Sequence, residues 1–212
     1  MAQNDKPEVS GKTVSFKRES WSKQSIETPR FRQLAMSLTE PFRPKLSRNA
    51  PLSSGESKWS AIHEAGHAVA QYSFKGSFPE RVYLSNQGGE VHDFGNCGLA
   101  KLLCGNEPVS LEQLAPDIEI YIAGALAELL ITDSPRWDFA QSDIGGALQL
   151  AEYATEKPHE YIETLIAPTV QLLVDKWNVV VAVAAELIRK TKLNARDVQL
   201  CIELASKEIA GR

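Results

Sequence analysis

Two histidines four residues apart, with a glutamate directly after the first, are the residues of this chain best suited to chemistry: His63-Glu64-Ala65-Gly66-His67. An α-helix advances about 1.5 Å and roughly 100° per residue, so positions i and i+4 stack on one face. On a helix, His63 and His67 therefore point the same way, and their ring nitrogens can converge on one ion about 2 Å from each. Glu64 lies beside that line, offset from ligation but within reach of a water on the ion. This is the mechanical content of His-Glu-x-x-His on a helix. Zinc lowers the pKa of its water to near 7, Glu64 takes the proton, and the hydroxide attacks a polarised carbonyl. The proton then passes to the leaving amine. Such a constellation is built for amide hydrolysis. Only four histidines occur in the chain, and two of them fall at this spacing with glutamate in the required place.

Two histidines do not complete such a centre, because catalytic zinc takes three protein ligands and keeps one position open. The other histidines, His92 and His159, have no supporting context. His92 with Cys97 and Cys104 matches no common ligand spacing. A carboxylate is the expected third ligand, with Glu128, Asp133, Asp138 and Asp143 as the candidates.

The elements that must position these groups follow from periodicity. From Ser57 onward, Ala61, Ile62, Ala65, Val69 and Tyr72 recur at helical spacing, and Gly76 offers a stop. Arg81-Val82-Tyr83-Leu84 and Gly98-Leu99-Ala100-Lys101-Leu102 read as short strands, with Gly88 and Gly89 supplying the turn between them. A capping box, Ser110-Leu111-Glu112-Gln113, opens a second helix that runs through Ile118, Ile122, Leu126 and Leu130. Pro116 predicts a break or restart there. Ser142 is a good N-cap for a helix to about Thr155. Tyr161 to Ala210 reads as two or three more helices, the last capped by Asn194. The expected class is mainly α, with a small β-sheet edge element.

Composition narrows the alternatives. The apolar and charged fractions are those of an ordinary globular protein, and 212 residues suffice for one domain with a sizeable core. No apolar run approaches the ~20 residues needed to span a bilayer. The start, Met1 to Ser10, lacks the apolar core of a secretory signal, so a cytoplasmic location is expected. Cys97, Cys104 and Cys201 cannot all pair within one chain, and free thiols in a reducing compartment are the simplest account. The net charge of −4 gives no reason to expect nucleic acid as a partner. No Gly-rich phosphate loop occurs, so no ATPase is expected. Residues 1–56 hold ten Lys/Arg against six Asp/Glu, while the remainder holds thirteen against twenty-one. That polar, weakly basic stretch buries too little apolar surface to order by itself. It is expected to be a largely extended leader and linker, wrapping the body through Phe31, Leu34 and Leu38, ahead of a domain over 57–212.

Ala61-Ile62-His63-Glu64-Ala65-Gly66-His67-Ala68-Val69 resembles the metal-binding helix of the FtsH family of ATP-dependent zinc proteases. Arg81-Val82-Tyr83-Leu84 and the glycine-bearing strand near Gly98 resemble the edge β element that follows it. Ala123-Gly124-Ala125-Leu126-Ala127-Glu128 is similar to the family's Gly-Gly-Arg-x-Ala-Glu helix. Ser142-Asp143-Ile144 resembles the Asn-Asp-Leu segment whose aspartate is the third zinc ligand. Leu193-Asn194-Ala195-Arg196-Asp197-Val198 resembles the ending of the same peptidase domain. The likeness runs in order from Ser57 to about Glu203. It implies Asp143 as third ligand, in the first turn of its helix where the dipole favours a carboxylate. It also implies Glu128 as a group orienting a histidine from behind. The family's ATPase module and membrane anchors have no counterpart here. Its Arg stands as Ala125, its second Glu as Leu129, and Phe139 replaces the Gly before the third ligand, which implies a reshaped loop.

The expected function is thus a zinc metalloendopeptidase acting on unfolded or extended polypeptides, with a separate ATPase as a possible source of substrate. A homo-oligomer is compatible with the resemblance. Substrate would add to an exposed strand edge beside the metal. The alternative is a catalytically silent, peptidase-like binding module whose zinc is structural or absent.

Overall fold

The computed structural model describes residues 29–48, 50, 56–85, 88–92 and 109–210. Among them are eight helices, α1 (Pro29–Thr39), α2 (Arg43–Leu46), α3 (Glu56–Lys75), α4 (Leu111–Leu129), α5 (Trp137–Glu152), α6 (Pro158–Asp175), α7 (Trp177–Lys190) and α8 (Ala195–Ala210). Three strands accompany them: β1 (Arg81–Ser85), β2 (Gly88–His92) and β3 (Lys192–Asn194). The chain is mainly helical with a small antiparallel sheet.

Helices α3 and α4 form the centre. The stretch Ser60–Gln71 of α3 is buried throughout, as is Ile122–Leu129 of α4. A helix apolar on every side must be enclosed by others. Accordingly α5 and α6 pack on α4, α7 packs on α3, α8 packs on α7, and α1 packs on α6. The α3–α4 approach is close because Gly66 lacks a side chain; a Cβ there would stand 2.7 Å from Ala127 Cβ and 2.8 Å from the Ala123 carbonyl oxygen. Tyr72, expected on the inner face of α3, is instead exposed and stacks on Phe78, with ring centroids 4.8 Å apart.

Local capping chemistry sets several boundaries. Ser110 caps α4 with the reciprocal Gln113 bond, as its sequence dictates. Asn194 does the same for α8, its Oδ1 accepting from the Asp197 N–H while Asp197 Oδ2 accepts from the Asn194 N–H. Gly76 follows α3 at φ +65°, a conformation suited to glycine. Pro116 does not break α4, which continues through it. A single missing N–H near the helix start costs less than abandoning a buried helix.

The sheet differs from the expectation in two ways. Its order is β2-β1-β3, so Gly88 and Gly89 lie in a strand rather than a turn, with Leu84 opposite Gly89 and Arg81 opposite His92. The third strand comes from the far end of the chain, pairing Arg81 with Asn194 and Tyr83 with Lys192. Thr191, at φ 62°, turns the chain out of α7 into that strand. The strand expected over 98–102 lies outside the described residues, as do Cys97 and Cys104; Cys201 is a half-buried free thiol.

Within the stretch expected to be an extended leader, the described residues form α1 and α2 instead, while the expected contact with the body through Phe31, Leu34 and Leu38 is present. Phe31, Ala35, Thr39 and Leu46 are buried, and Leu34 and Leu38 pack against the core. Arg30 pairs with Glu163 at 2.9 Å, Arg43 Nε donates to the Leu129 carbonyl at 3.0 Å, and Trp177 Nε1 donates to the Leu46 carbonyl at 3.2 Å. Residues 29–46 therefore belong to the domain. No helix among the described residues is long and apolar enough to cross a membrane.

One buried acid makes stability pH-dependent. Glu119 of α4 is only 7 % exposed, and its partner Thr169 Oγ1 stands 3.5 Å away while lying 2.7 Å from the Leu165 carbonyl. The hydroxyl has one proton, and the shorter bond takes it. Burial pushes the Glu119 carboxyl up to about 7, against a lesser opposing pull from Thr169. The folded state thus holds this proton more tightly than the unfolded state, so stability falls as pH rises between the two pKa values. Glu119→Gln should therefore stabilise the protein by about 1–3 kcal/mol at pH 8. The gain should vanish below the ordinary carboxyl pKa, as urea melts across pH would show.

Candidate metal centre

The α3 turn stacks His63 over His67, with ring centroids 4.6 Å apart and planes at 76°. His63, Glu64 and His67 are all buried. Asp143 arrives from α5: its Oδ2 lies 2.9 Å from His63 Nε2 and 3.4 Å from His67 Nε2. One donor atom from each of the three residues lies within 4.8 Å of the others, close enough to hold a metal ion. Ligands sharing one tetrahedral zinc at ~2.0–2.2 Å stand about 3.4 Å from each other. The observed separations are of that size.

Behind the imidazoles, a further set of bonds fixes which nitrogen faces the site. The His67 Nδ1–H donates to the Ile120 carbonyl at 2.7 Å. A carbonyl can only accept, so the proton sits on Nδ1 and a neutral His67 presents an Nε2 lone pair. His63 Nδ1–H donates to Glu128 Oε1 at 2.9 Å, which likewise directs its Nε2 forward. This is the carboxylate–histidine pairing found behind metal ligands.

Electrostatics describe a pocket made for positive charge. Burial opposes a charge on His63, but Asp143 and Glu128 on its two nitrogens outweigh burial and raise its pKa well above the ordinary value. Burial also pushes against ionised Asp143, yet the two imidazoles hold it below the usual carboxylate range. Burial raises Glu64, partly countered by His63 and His67. Three carboxyl groups, Glu64, Glu128 and Asp143, thus lie around the two imidazoles, with the Arg136 guanidinium 3.6 Å from Glu128 Oε1. A cation suits such surroundings. The donor set of two nitrogens and one carboxylate oxygen suits zinc.

Of the four candidate carboxylates, Asp143 meets the histidines directly and Glu128 meets one from behind. Asp133 is exposed and bonded to Ser134. The side chains of Asp138, Phe139 and His92 lie outside the described residues, and His159 is exposed. Asp143 does not sit in a first helical turn, because α5 already begins at Trp137. Its position therefore owes nothing to the helix terminus; the two imidazoles select it.

Three features escaped the sequence. The Ile120 carbonyl carries no side-chain signal at all. Arg136, after Pro135, donates its backbone N–H to Glu128 Oε2 at 3.1 Å. Gly124 leaves room beside the histidines: a Cβ there would lie 2.4 Å from His67 Nε2 and 2.6 Å from His63 Nε2. Among known proteins, no family model matches the chain, and no curated protein matches it.

Proposed function

We propose that this chain is a zinc-dependent metalloendopeptidase of the FtsH-like kind, acting on unfolded or extended polypeptides. The observation that carries the reading is the convergence of His63 Nε2, His67 Nε2 and Asp143 Oδ2, with Glu64 buried beside them. His63, His67 and Asp143 would hold the ion. Zinc, when bound, supplies Lewis acidity to a water and to the scissile carbonyl. Glu64 accepts the water's proton on its carboxylate and returns it to the leaving nitrogen, a task helped by a pKa raised through burial. Ile120 and Glu128 keep the imidazoles oriented throughout.

An extended substrate is favoured by the sheet beside α3. Strand β1 is paired on both sides, so it offers no edge. Strands β2 and β3 are the outer strands among the described residues; β2 packs against α3, the helix of the two histidines, which favours its far side for β-addition.

The test compares wild type with Glu64→Gln for zinc content and casein cleavage. Equal zinc is expected in both, with cleavage reduced by roughly 10²–10⁴-fold in the variant. Full zinc but no cleavage by wild type across several unfolded substrates would instead support a binding module.

A further inference from the structure

We infer that Arg136 is a positioning residue of the metal centre, holding Glu128 against His63 and tying together the three helices that supply the site. The inference rests on the metal reading above. Arg136 stands at the N-cap of α5, the helix that carries Asp143. Its Nη2 donates to Ser60 Oγ on α3 at 3.1 Å, one turn before His63. The same nitrogen lies 3.6 Å from Glu128 Oε1 on α4. One side chain thus bridges the helix of the two histidines and the helix of their supporting carboxylate, while its backbone starts the helix of the third ligand.

The physical need is clear from Glu128. This carboxylate is 1 % exposed and cannot be solvated by water. An ionised carboxylate in such a place costs several kcal/mol unless charge and hydrogen bonds compensate it. Oε1 serves the His63 Nδ1–H and faces the guanidinium, and Oε2 accepts the Arg136 backbone N–H. Both oxygens are therefore oriented, and the rotamer that meets His63 is fixed. Without the guanidinium, Glu128 would keep the Arg136 backbone N–H on Oε2 and the His63 Nδ1–H on Oε1, but the cation that faces Oε1 would be gone and the bond to His63 less firmly directed.

The test uses the full chain, with zinc affinity from chelator competition and the His63 Nδ1–H proton signal of the metal-free protein by NMR. Side-chain replacement leaves the backbone bond in place, so it reports the guanidinium alone. Arg136→Ala should weaken zinc binding by roughly 10–100-fold and broaden or remove the Nδ1–H signal. Arg136→Lys should recover part of the affinity, since an ammonium keeps the charge but not the planar fork. Because Arg136 acts through Glu128, adding Arg136→Ala to Glu128→Gln should cost little beyond Glu128→Gln alone. Affinity within twofold of wild type in Arg136→Ala, or fully additive losses in the double variant, would overturn the assignment. If Arg136→Ala fails to fold, Arg136→Lys and Ser60→Ala decide by the same measurements: wild-type affinity and signal in both would overturn it. Should wild type take up no zinc, the metal reading falls first. The Nδ1–H signal then decides on Arg136, an unchanged signal in the variants refuting it.

Discussion

Gly124→Ala is expected to abolish zinc uptake while leaving the protein helical. By local propensity alone the change should help, since alanine is favoured over glycine inside a helix by about 1 kcal/mol. The site reverses that sign. The new Cβ would fall 2.4 Å from His67 Nε2, 2.6 Å from His63 Nε2 and 2.7 Å from His63 Cδ2. An ion must contact those same two nitrogens at ~2.0–2.1 Å, so methyl and metal compete for one space. The rings have no easy way to retreat. Turning His67 breaks its bond to the Ile120 carbonyl, and turning His63 breaks its bond to Glu128. Overpacking of this kind costs about 1–3 kcal/mol, too little to unfold most domains. Metal analysis alongside far-UV circular dichroism separates the two effects. Stoichiometric zinc in this variant would show that the ion does not lie between the two histidines.

The second large effect is expected at Asp143. Asp143→Ala should lower zinc affinity by more than about 100-fold, beyond what the loss of an outer hydrogen-bond partner costs. Asp143→Asn keeps the shape but removes the charge, and it should fall nearly as far. Two neutral imidazoles would then face a dication with no anionic ligand. Asp133→Ala is the matched control, because that carboxylate is exposed and accepts a hydrogen bond from the neighbouring Ser134 rather than from a histidine. Its affinity should equal wild type. Chelator competition measures all three. Undiminished affinity in Asp143→Ala would remove the third ligand from the scheme and with it the case for an open catalytic zinc.

How much of this was legible beforehand depends on the range of the signal. The α3 helix and its histidine pair follow from periodicity, as do the Ser110 and Asn194 caps, because each involves partners within four residues. Pro116 misled for a related reason. Its local penalty is real, but α4 is buried from Asp117 to Leu129 apart from the half-buried Tyr121, and burial of its apolar residues outweighs one missing hydrogen bond. Over residues 29–46 the contacts of Phe31, Leu34 and Leu38 were legible but the helices were not. Their composition lacks an apolar face long enough to order alone, yet Phe31, Ala35 and Leu46 are covered by other helices. Strand β3 is three residues long and gains its partner from a position more than a hundred residues earlier, so no periodicity announced it.

What the amino-acid order settled was angular: a spacing of four on a helix aims two imidazoles in one direction, and the backbone geometry that does so is local. Which carboxylate meets them, which carbonyl and which acid hold their far nitrogens, and which glycine leaves the space between were decided only when α4 and α5 packed against α3. The reason is that helix geometry fixes neighbours along a chain, whereas contacts across the core depend on how whole faces fit together.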